Sequence, residues 1–373
     1  MKKVVSCLFT CALAIMMSIS SVFATSYDEK INIAYANAKS YYENNTLNNE
    51  SYFLDQILIA EIMDVNNYKS EDITNLNFEE LTPGKLSKVI LSLVLMKKNP
   101  QDIKNMNLIA LLNSYIQQDG KIEKNKIESD AADMAWVIYA LVAVNSENKE
   151  LVADKLSNMN NPNDGGFMTY GSSNPDVTGY CIEALSIVNK EKYSESINKG
   201  ITYLNDMQQD DAHWTDAWQT PANTNTQSNV LRGLLVYDKE AVINGNYNKG
   251  EMSPFDVIMN NQNSKGYFGW SSKEADDWNS QDFATVEALM MLYTYKNGSF
   301  VYKVQNAYNE LITNLKENKP IEQLPTQTET TVTNTETRSV KTGDSTDGML
   351  FMSAAIISGG LYLLLGKEYE RAN

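Results

Sequence analysis

A repeat of apolar helical segments along the middle of the chain restricts the possible folds more than any other feature. Five segments share a leucine, at spacings of 44 to 55 residues: Leu93, Leu141, Leu185, Leu234 and Leu289. A weaker first copy, "DQILIAEIM", lies at 55–63. Helices that are apolar nearly all round are buried between other helices. The repeat therefore predicts six buried inner helices.

Amphipathic segments alternate with these inner helices and predict an outer layer. They lie at about 31–43, 69–80, 101–117, 148–160, 193–208, 253–262 and 300–316. "SPFD" at 253–256 starts one of them with an N-cap serine, a proline in the first turn and an aspartate that completes a capping box. Strand signals are almost absent. The alternation predicts an all-α closed ring over 25–318, with an open solenoid as the alternative, although a solenoid usually needs polar capping repeats.

Four short turns that combine an acidic or polar residue with a glycine or an aromatic residue precede inner helices. They read "QQDGKI" (117–122), "NDGGFMTY" (163–170), "QDDAHWTDAW" (209–218) and "SKGYFGW" (264–270). Glycine permits tight or left-handed backbone. We interpret the turns as structural joints, in which Phe167, Trp214 and Phe268 pack between neighbouring helices. The alternative interpretation is a ligand-contacting loop used four times.

The repeats carry a resemblance to a known superfamily. "ESDAADMAWVIYALVAV", "NDGGFMTYGSSNPDVTGYCIEAL" and "ANTNTQSNVLRGLLVY" resemble the α/α-toroid superfamily, especially bacterial proteins with prenyltransferase and squalene oxidase repeats. The resemblance covers essentially 25–318, with four repeats matching well and two weakly. It implies an (α/α)6 toroid of alternating inner and outer helices. Terpene cyclases, protein prenyltransferase β subunits and cobalamin carriers share this fold, so the resemblance suggests an isoprenoid or a corrinoid as a ligand to consider.

The catalytic motifs of these relatives are incomplete in this chain. Prenyltransferases of the family hold zinc with Asp, Cys and His, whereas here Cys181 is the one cysteine after the leader and His213 lies in a turn. We predict no metal site and no required cofactor. The cyclase acid motif DxDD is matched by "DAADMA", in which Asp130 and Asp133 are present and Ala132 replaces the protonating acid. Asp130 and Asp133 are weak candidates for catalysis, with Asp176 and Asp282 available in principle for glycosidase-type chemistry, and the sequence favours a protein that is not an enzyme.

The amino ends of the inner helices of a ring converge at one mouth, where we predict ligand binding. The predicted ligand-binding residues are Asp130, Asp133, Asp176, Tyr180, Asn225, Gln227, Trp218, Trp278, Gln281 and Asp282. Trp136 and Trp214 are interpreted as a core residue and a turn brace. Helix dipoles stabilise carboxylates near amino ends, so we expect Asp130 and Asp133 to stay ionised and to contribute polarity rather than acid catalysis.

The two ends of the chain predict export and anchoring. Residues 1–24 read as a signal peptide with cleavage between Ala24 and Thr25. The Thr- and Pro-containing stretch 319–338 predicts a disordered stalk. Residues 339–373 resemble a sortase sorting signal, with "SVKTG", an apolar span at 349–365 that predicts a hydrophobic helix, and a charged tail. The cut would fall between Thr342 and Gly343, although proline is absent from the motif. A plain membrane anchor is the alternative.

The net charge of the chain disfavours some classes of binding partner. The formal net charge is −16, which disfavours nucleic acid and anionic lipid as ligands. Expected partners are a sortase and peptidoglycan or membrane at the C-terminal segment, and an extracellular small molecule or surface partner at the ring. The sequence thus predicts a Gram-positive-type, cell-surface-anchored ligand-binding or adhesion module without catalysis. The alternative is a terpenoid cyclase-like, prenyltransferase-like or glycan-processing enzyme that uses cavity carboxylates.

Overall fold

The computed structural model describes residues 27–45, 53–65, 68, 73–215, 222–274 and 283–317. The predicted signal peptide, stalk, sorting signal and apolar span lie outside these residues, together with Ala24, Thr25, Thr342 and Gly343. Among the helices that the structure describes, none is long and apolar enough to cross a membrane.

The described residues are mostly α-helical. In chain order the main helices are α1 (27–44), α2 (Phe53–Ile62), α3 (Pro83–Leu95), α4 (Leu108–Ser114), α5 (Ala131–Ala143), α6 (Lys149–Leu156), α7 (Pro175–Asn189), α8 (Ser194–Met207), α9 (Thr224–Ile243), α10 (Pro254–Asn260), α11 (Thr285–Asn297) and α12 (Phe300–Lys316). Two short antiparallel hairpins, which the sequence did not predict, pair β1 (Glu123–Lys124) with β2 (Ile127–Glu128) and β3 (Met168–Thr169) with β4 (Ser172–Ser173).

The six inner helices contact one another in a closed cycle. The order is α2, α3, α5, α7, α9 and α11, and α11 then contacts α2. Their buried residues include Leu93, Leu141, Leu185, Leu234 and Leu289, each at most 1% exposed. A cycle of this kind is the arrangement of an α/α toroid, whereas an open solenoid would leave α2 and α11 apart. The all-α prediction is therefore confirmed.

Polar caps explain where the inner helices begin. The side chains of Thr82, Asp130, Asn174 and Asn223 each accept a hydrogen bond from a backbone N–H in the first turn of α3, α5, α7 and α9. These bonds satisfy donors that a helix cannot pair internally. The capping box predicted at "SPFD" is present at the start of α10.

The glycine-aromatic turns share one construction, which confirms them as joints. In each turn an antiparallel bridge links the end of an outer segment to a fully buried apolar residue: Ile116–Ile122, Asn160–Phe167, Gln208–Trp214 and Gln262–Phe268. A left-handed residue stands two positions before that apolar residue, namely Gly120, Gly165, Ala212 and Gly266. The aromatic side chains thus contribute to the core, as the sequence interpretation required.

The first helix closes the outer layer against the last repeat. Gln262 Nε2 in the last joint donates to the carbonyl of Ala34 in α1 at 2.8 Å. The rings of Tyr41 and Tyr267 lie 5.2 Å apart, centroid to centroid. The hydroxyl of Tyr295 in α11 donates to Asp28 Oδ1 at 2.6 Å. The N-terminal helix therefore joins segments that are more than 200 residues away in sequence.

The segment 300–316 was predicted as an outer helix, and the structure corrects this placement. Helix α12 lies across the carboxyl ends of inner helices, where Lys303 Nζ donates to the carbonyl of Ile62 at 2.7 Å and Gln305 Nε2 donates to that of Val142 at 2.9 Å. Phe300 packs against Trp136 and Tyr139. An amphipathic stripe requires one buried face but does not specify the element that buries it.

Two other predicted outer helices differ from the structure. In the described part of 69–80, residues 73 and 74 are helical and a 3₁₀ turn, Phe78–Glu80, stands at the end, and the helix predicted over 101–117 is confined to α4. An isolated bridge between Ile103 and Met106 precedes α4, and the side chain of Asn107 caps the amino end of α4. Asparagine favours caps over helix interiors because its side chain competes for backbone hydrogen bonds.

Gly266→Ala should destabilise the protein more than Gly171→Ala. Both glycines have positive φ, 104° and 84°, so alanine is strained at each by about 1–2 kcal/mol. A Cβ at Gly266 would lie 2.4 Å from the backbone oxygen of Asn37 in α1, whereas one at Gly171 meets nothing within 4 Å. We expect roughly 3 kcal/mol or more for Gly266→Ala, measured by urea unfolding. Equal losses would contradict close packing of α1 on this joint.

Candidate functional site

The amino ends of α5, α7 and α9 gather at the end of the ring opposite α12. Thr169 Oγ1 of β3, which leads into α7, donates to Asp130 Oδ2 at the start of α5 at 3.2 Å, and Asn225 Nδ2 of α9 donates to Asp176 Oδ2 of α7 at 3.2 Å. We call this end the mouth and define it by Lys88, Asp130, Asp133, Asp176, Tyr180 and Asn225. All but the buried Asn225 are at least partly exposed.

The shared leucine of the repeat defines which residues contact each other across the ring. Five positions before it stand Lys88, Trp136, Tyr180 and Asn229, and two positions before it stand Tyr139, Glu183, Arg232 and Glu287. Their mutual contacts show that these positions lie near the axis in successive layers. Nine positions before it, at the mouth, stand Gly84, Ala132, Asp176 and Asn225. A spacing of four and then three residues keeps one face of a helix inward.

Asp133 is a largely buried carboxyl at the mouth. Its backbone N–H donates to Asp130 Oδ1 at 2.9 Å, and the Ser129 hydroxyl lies 3.5 Å from its Oδ2. The side chain packs on Gly84, where a Cβ would lie 2.1 Å from Asp133 Oδ1. Any larger residue at Gly84 would displace this carboxyl.

Burial, together with the neighbouring charge of Asp130, raises the pKa of Asp133 to about 6, while Lys88 opposes both. At this pKa Asp133 is still mostly ionised at neutral pH, but the expectation that the helix dipole lowers its pKa is wrong. Desolvation of the charged form outweighs the partial charge of a helix end when the carboxyl is largely withdrawn from water. Asp133 can exchange a proton close to neutral pH, which a general acid or base requires.

Lys88 is a residue of the mouth whose positive charge is already compensated by an ion pair. Its ammonium forms an ion pair with Asp55 of α2 and lies 4.4 Å from the ring centroid of Trp136. Trp136 is buried and forms an edge-to-face contact with Tyr139 at 5.3 Å. Trp136 was interpreted as core, and the structure adds that it separates the mouth from the residues below it.

Below the mouth lies a buried group that we call the central ion cluster: Arg232, Glu183, Glu287, Tyr139 and Ser299. The hydroxyl of Tyr180 reaches this cluster from the mouth. Arg232 Nε donates to Glu183 Oε2 at 2.5 Å, and its Nη1 lies 3.5 Å from Glu287 Oε2. The three charged residues are 1%, 0% and 4% exposed. Removal of one partner from such a group typically costs about 3–5 kcal/mol, because a buried charge is left uncompensated.

Hydroxyl groups complete the bonding of the cluster. Ser299 Oγ donates to Glu183 Oε1 at 2.7 Å, and Tyr139 OH donates to Glu183 Oε2 at 3.1 Å. Tyr180 OH donates to Glu287 Oε1 at 2.9 Å. Burial and the adjacent glutamates raise the pKa of both tyrosines, which therefore remain donors. Burial also raises the pKa of Glu287, with Arg232 opposing.

Sequence reasoning missed Arg232, Glu183 and Glu287, although a signal was present. Each is the one charged residue of an apolar segment, "IEALSIV" (182–188), "LRGLLVY" (231–237) or "VEALMML" (286–292), and each stands two positions before the shared leucine. Charged residues at the same register position of successive repeats could have predicted a cluster at the axis.

Of the other predicted site residues, one is buried in a joint and four lie outside the described residues. Gln227 is fully buried, and its amide accepts from the backbone N–H of Trp214 at 2.9 Å and donates to its carbonyl at 2.8 Å, which braces the joint. Trp214 is also fully buried, and its Nε1 donates to the carbonyl of Leu204 at 2.8 Å. Trp218, Trp278, Gln281 and Asp282 lie outside the described residues.

No described residues form a group of three or more His, Cys, Asp or Glu side chains able to hold a metal ion. Cys181 is buried with its Sγ near the carbonyl of Ala131, and His213 contacts Asp211 within its turn.

No protein-family model and no curated protein matches the sequence. Among solved structures, an ent-copalyl diphosphate synthase from Streptomyces platensis is similar over 70% of this chain and 50% of that chain, at 15% identity and a TM-score of 0.43. This chain therefore spans about half the length of that synthase. A polysaccharide lyase is similar over 75% of this chain and 98% of that chain, at 13% identity and a TM-score of 0.47. The ring assignment rests on the helix contacts of this chain.

Asp133→Asn should stabilise the protein at neutral pH. The folded-state pKa of about 6 lies above the ordinary 3.8, so the contribution of Asp133 to stability is fully present below about pH 4 and is lost as the pH rises through about 6. Asparagine carries no charge, and the gain at about pH 7 should be on the order of 1–2 kcal/mol, vanishing at about pH 4. Urea unfolding at both pH values measures it. Asp206→Asn, at an exposed site of α8, is the control, and a gain independent of pH would contradict the assignment.

Proposed function

We propose that the mouth binds a hydroxyl-rich extracellular ligand, a segment of glycan, and that the protein acts as a glycan-binding module. The observation that carries the proposal is the polar lining of the mouth. Asp133, Asp176 and Asn225 supply carboxylate and amide groups that bond to hydroxyls, and the ring of Tyr180 supplies aromatic surface. A few convergent polar groups beside aromatic side chains are typical of small-molecule sites.

The polar axis disfavours the isoprenoid ligand suggested by the superfamily resemblance. An isoprenoid chain in the ring would lie against Glu183, Arg232 and Glu287, and it could offer these groups no hydrogen bonds in exchange for water. A diphosphate group would need free cations, yet Lys88 is paired with Asp55 and Arg232 is paired with two glutamates. A corrinoid, the other ligand that the resemblance suggests, has no specific support in the mouth.

A second candidate function is glycan processing, and the pKa of Asp133 favours it. A carboxyl with a pKa of about 6 is protonated often enough near neutral pH to donate a proton to a leaving oxygen. Either Asp176 or Asp130 would then be the second carboxyl that glycoside hydrolysis requires. In this function Asp133 is the catalytic residue, whereas in the binding module it contributes only polarity.

Solubilised peptidoglycan and chito-oligosaccharides are suitable probes for calorimetric titration of the full chain. We expect binding, and Asp176→Ala should weaken it by about 1.5–3 kcal/mol, because a charge-assisted hydrogen bond is lost. The matched control is Gln305→Ala on α12, at the opposite end of the ring, which should leave the affinity unchanged. Absence of binding to every probe would refute the proposal.

The same incubations distinguish the two candidates. Release of new reducing ends that stops in Asp133→Asn would establish an enzyme. Binding without product, and with affinity little altered in Asp133→Asn, would establish the module.

We also propose that the protein is exported and held at the cell surface, in the wall by a sortase or in the membrane by the apolar span. The support is the sequence pattern of residues 1–24 and 339–373, which resembles an export signal and a sorting signal. Deletion of 339–373 should release the protein into the medium, as detected by immunoblot of cell and medium fractions. Retention on the cells would show that the ring itself binds the envelope.

A further inference from the structure

Two hairpins stand beside the mouth, and the second has a tyrosine, Tyr170, at the turn position where the first has Asn125. In each hairpin a two-residue turn joins the strands, and both turn residues have positive φ: Asn125 and Lys126 (52° and 66°) in the first, and Tyr170 and Gly171 (49° and 84°) in the second. Such turns favour asparagine followed by glycine, because these residues tolerate the left-handed region. Tyrosine, with its bulky side chain, is strained there.

Burial does not compensate for the strain at Tyr170. The side chain belongs to the exposed large apolar residues of the described chain, with 63% of its surface accessible, and Met168 of the same hairpin is also exposed at 37%. A strained, exposed aromatic residue is costly for folding and contributes little to the core. Backbone strain of this kind clusters at active sites and ligand-binding sites.

The hairpin holds Tyr170 at the mouth. The preceding residue, Thr169, donates its hydroxyl to Asp130 at the amino end of α5 at 3.2 Å, and strand β3 contacts both α5 and α7. The pKa of Tyr170 is raised by partial burial of its hydroxyl and by the charges of Asp130 and Asp133. The phenol thus lies within electrostatic range of the carboxyl that titrates near neutral pH.

We propose that Tyr170 is the aromatic contact of the mouth for the face of a sugar ring, and that it determines which glycans bind beside Asp130 and Asp133. This role rests on the proposed glycan binding. An aromatic ring offers apolar surface to the C–H face of a pyranose, and adjacent carboxylates accept hydrogen bonds from its hydroxyls. Tyrosine is among the residues that dominate binding energy when they meet a partner.

The proposal predicts opposite effects of one substitution on folding and on binding. Tyr170→Asn makes the turn Asn-Gly, so the melting temperature should rise by about 1–4 °C as the strain is relieved. Affinity for the chito-oligosaccharide or peptidoglycan probe should fall by about tenfold or more. Tyr170→Trp keeps an aromatic face and should retain affinity within about threefold, without a rise in melting temperature.

Lys126→Gly is the matched control, because it makes the turn of the first hairpin Asn-Gly as well. It should raise the melting temperature in the same way and leave affinity unchanged. If the probes bind and Tyr170→Asn binds them as well as the unsubstituted protein does, the role of Tyr170 is overturned while glycan binding stands. If no probe binds the unsubstituted protein, the proposed function fails and this role fails with it. A fall in melting temperature in Tyr170→Asn would instead assign Tyr170 to the fold.

Discussion

The pairing of Arg232 with Glu183 and Glu287 is the interaction on which the interior of the ring depends. Charges that are fully withdrawn from water must be compensated within the protein. Here the compensation draws on four inner helices, and on Ser299 at the start of α12. None of these elements can shift by one turn without exposing a buried charge to an apolar neighbour. The cluster therefore fixes the register of the helices relative to one another.

The contrast between this cluster and the mouth explains where function can arise. Glu183 uses both oxygens in bonds to Ser299, Tyr139 and Arg232, so it has little capacity to engage a ligand. Above the cluster, Asp133 and the ring of Tyr180 remain partly accessible, so that both can meet a ligand. Trp136 stands in the layer of Lys88 and Tyr180, and it also contacts Tyr139 of the cluster. The helix scaffold is thus stable at its centre and adaptable at one end.

The joints and the hairpins show the same separation between structural residues and residues at the mouth, here along the sequence. The joint from Asn160 to Phe167 is a structural connection with its aromatic residue in the core. The few residues that follow it, before α7 begins, form the hairpin that brings Thr169 against Asp130. Insertions after a repeated joint all lie on one face of a repeat protein, and this face is often the binding face.

Features of the fold that depend on residues close together in the sequence could be predicted, whereas features that depend on distant residues could not. The repeat located the inner helices because burial on all sides leaves a local apolar signature, as at Leu141 and Leu185. The caps and joints were also readable, since Asp130 and Gly165 act on backbone within a few residues. The charged residues two positions before the shared leucine could have indicated a cluster, but the sequence does not show which of them pair, because the pairing depends on how the assembled helices face the axis.

The tertiary structure alone decided the properties that depend on distant neighbours. Helix α12 has the stripe of an outer helix, yet it closes the ring end because Ile62 and Val142 offer carbonyls there. Gln227, predicted at the mouth, is used to brace Trp214. The ionisation of Asp133 could not be inferred from its place at a helix start, because the pKa reflects desolvation by α3 and the charge of Asp130 together. The sequence determined local conformation and burial, and the assembled ring determined the partners and charge state of each buried group.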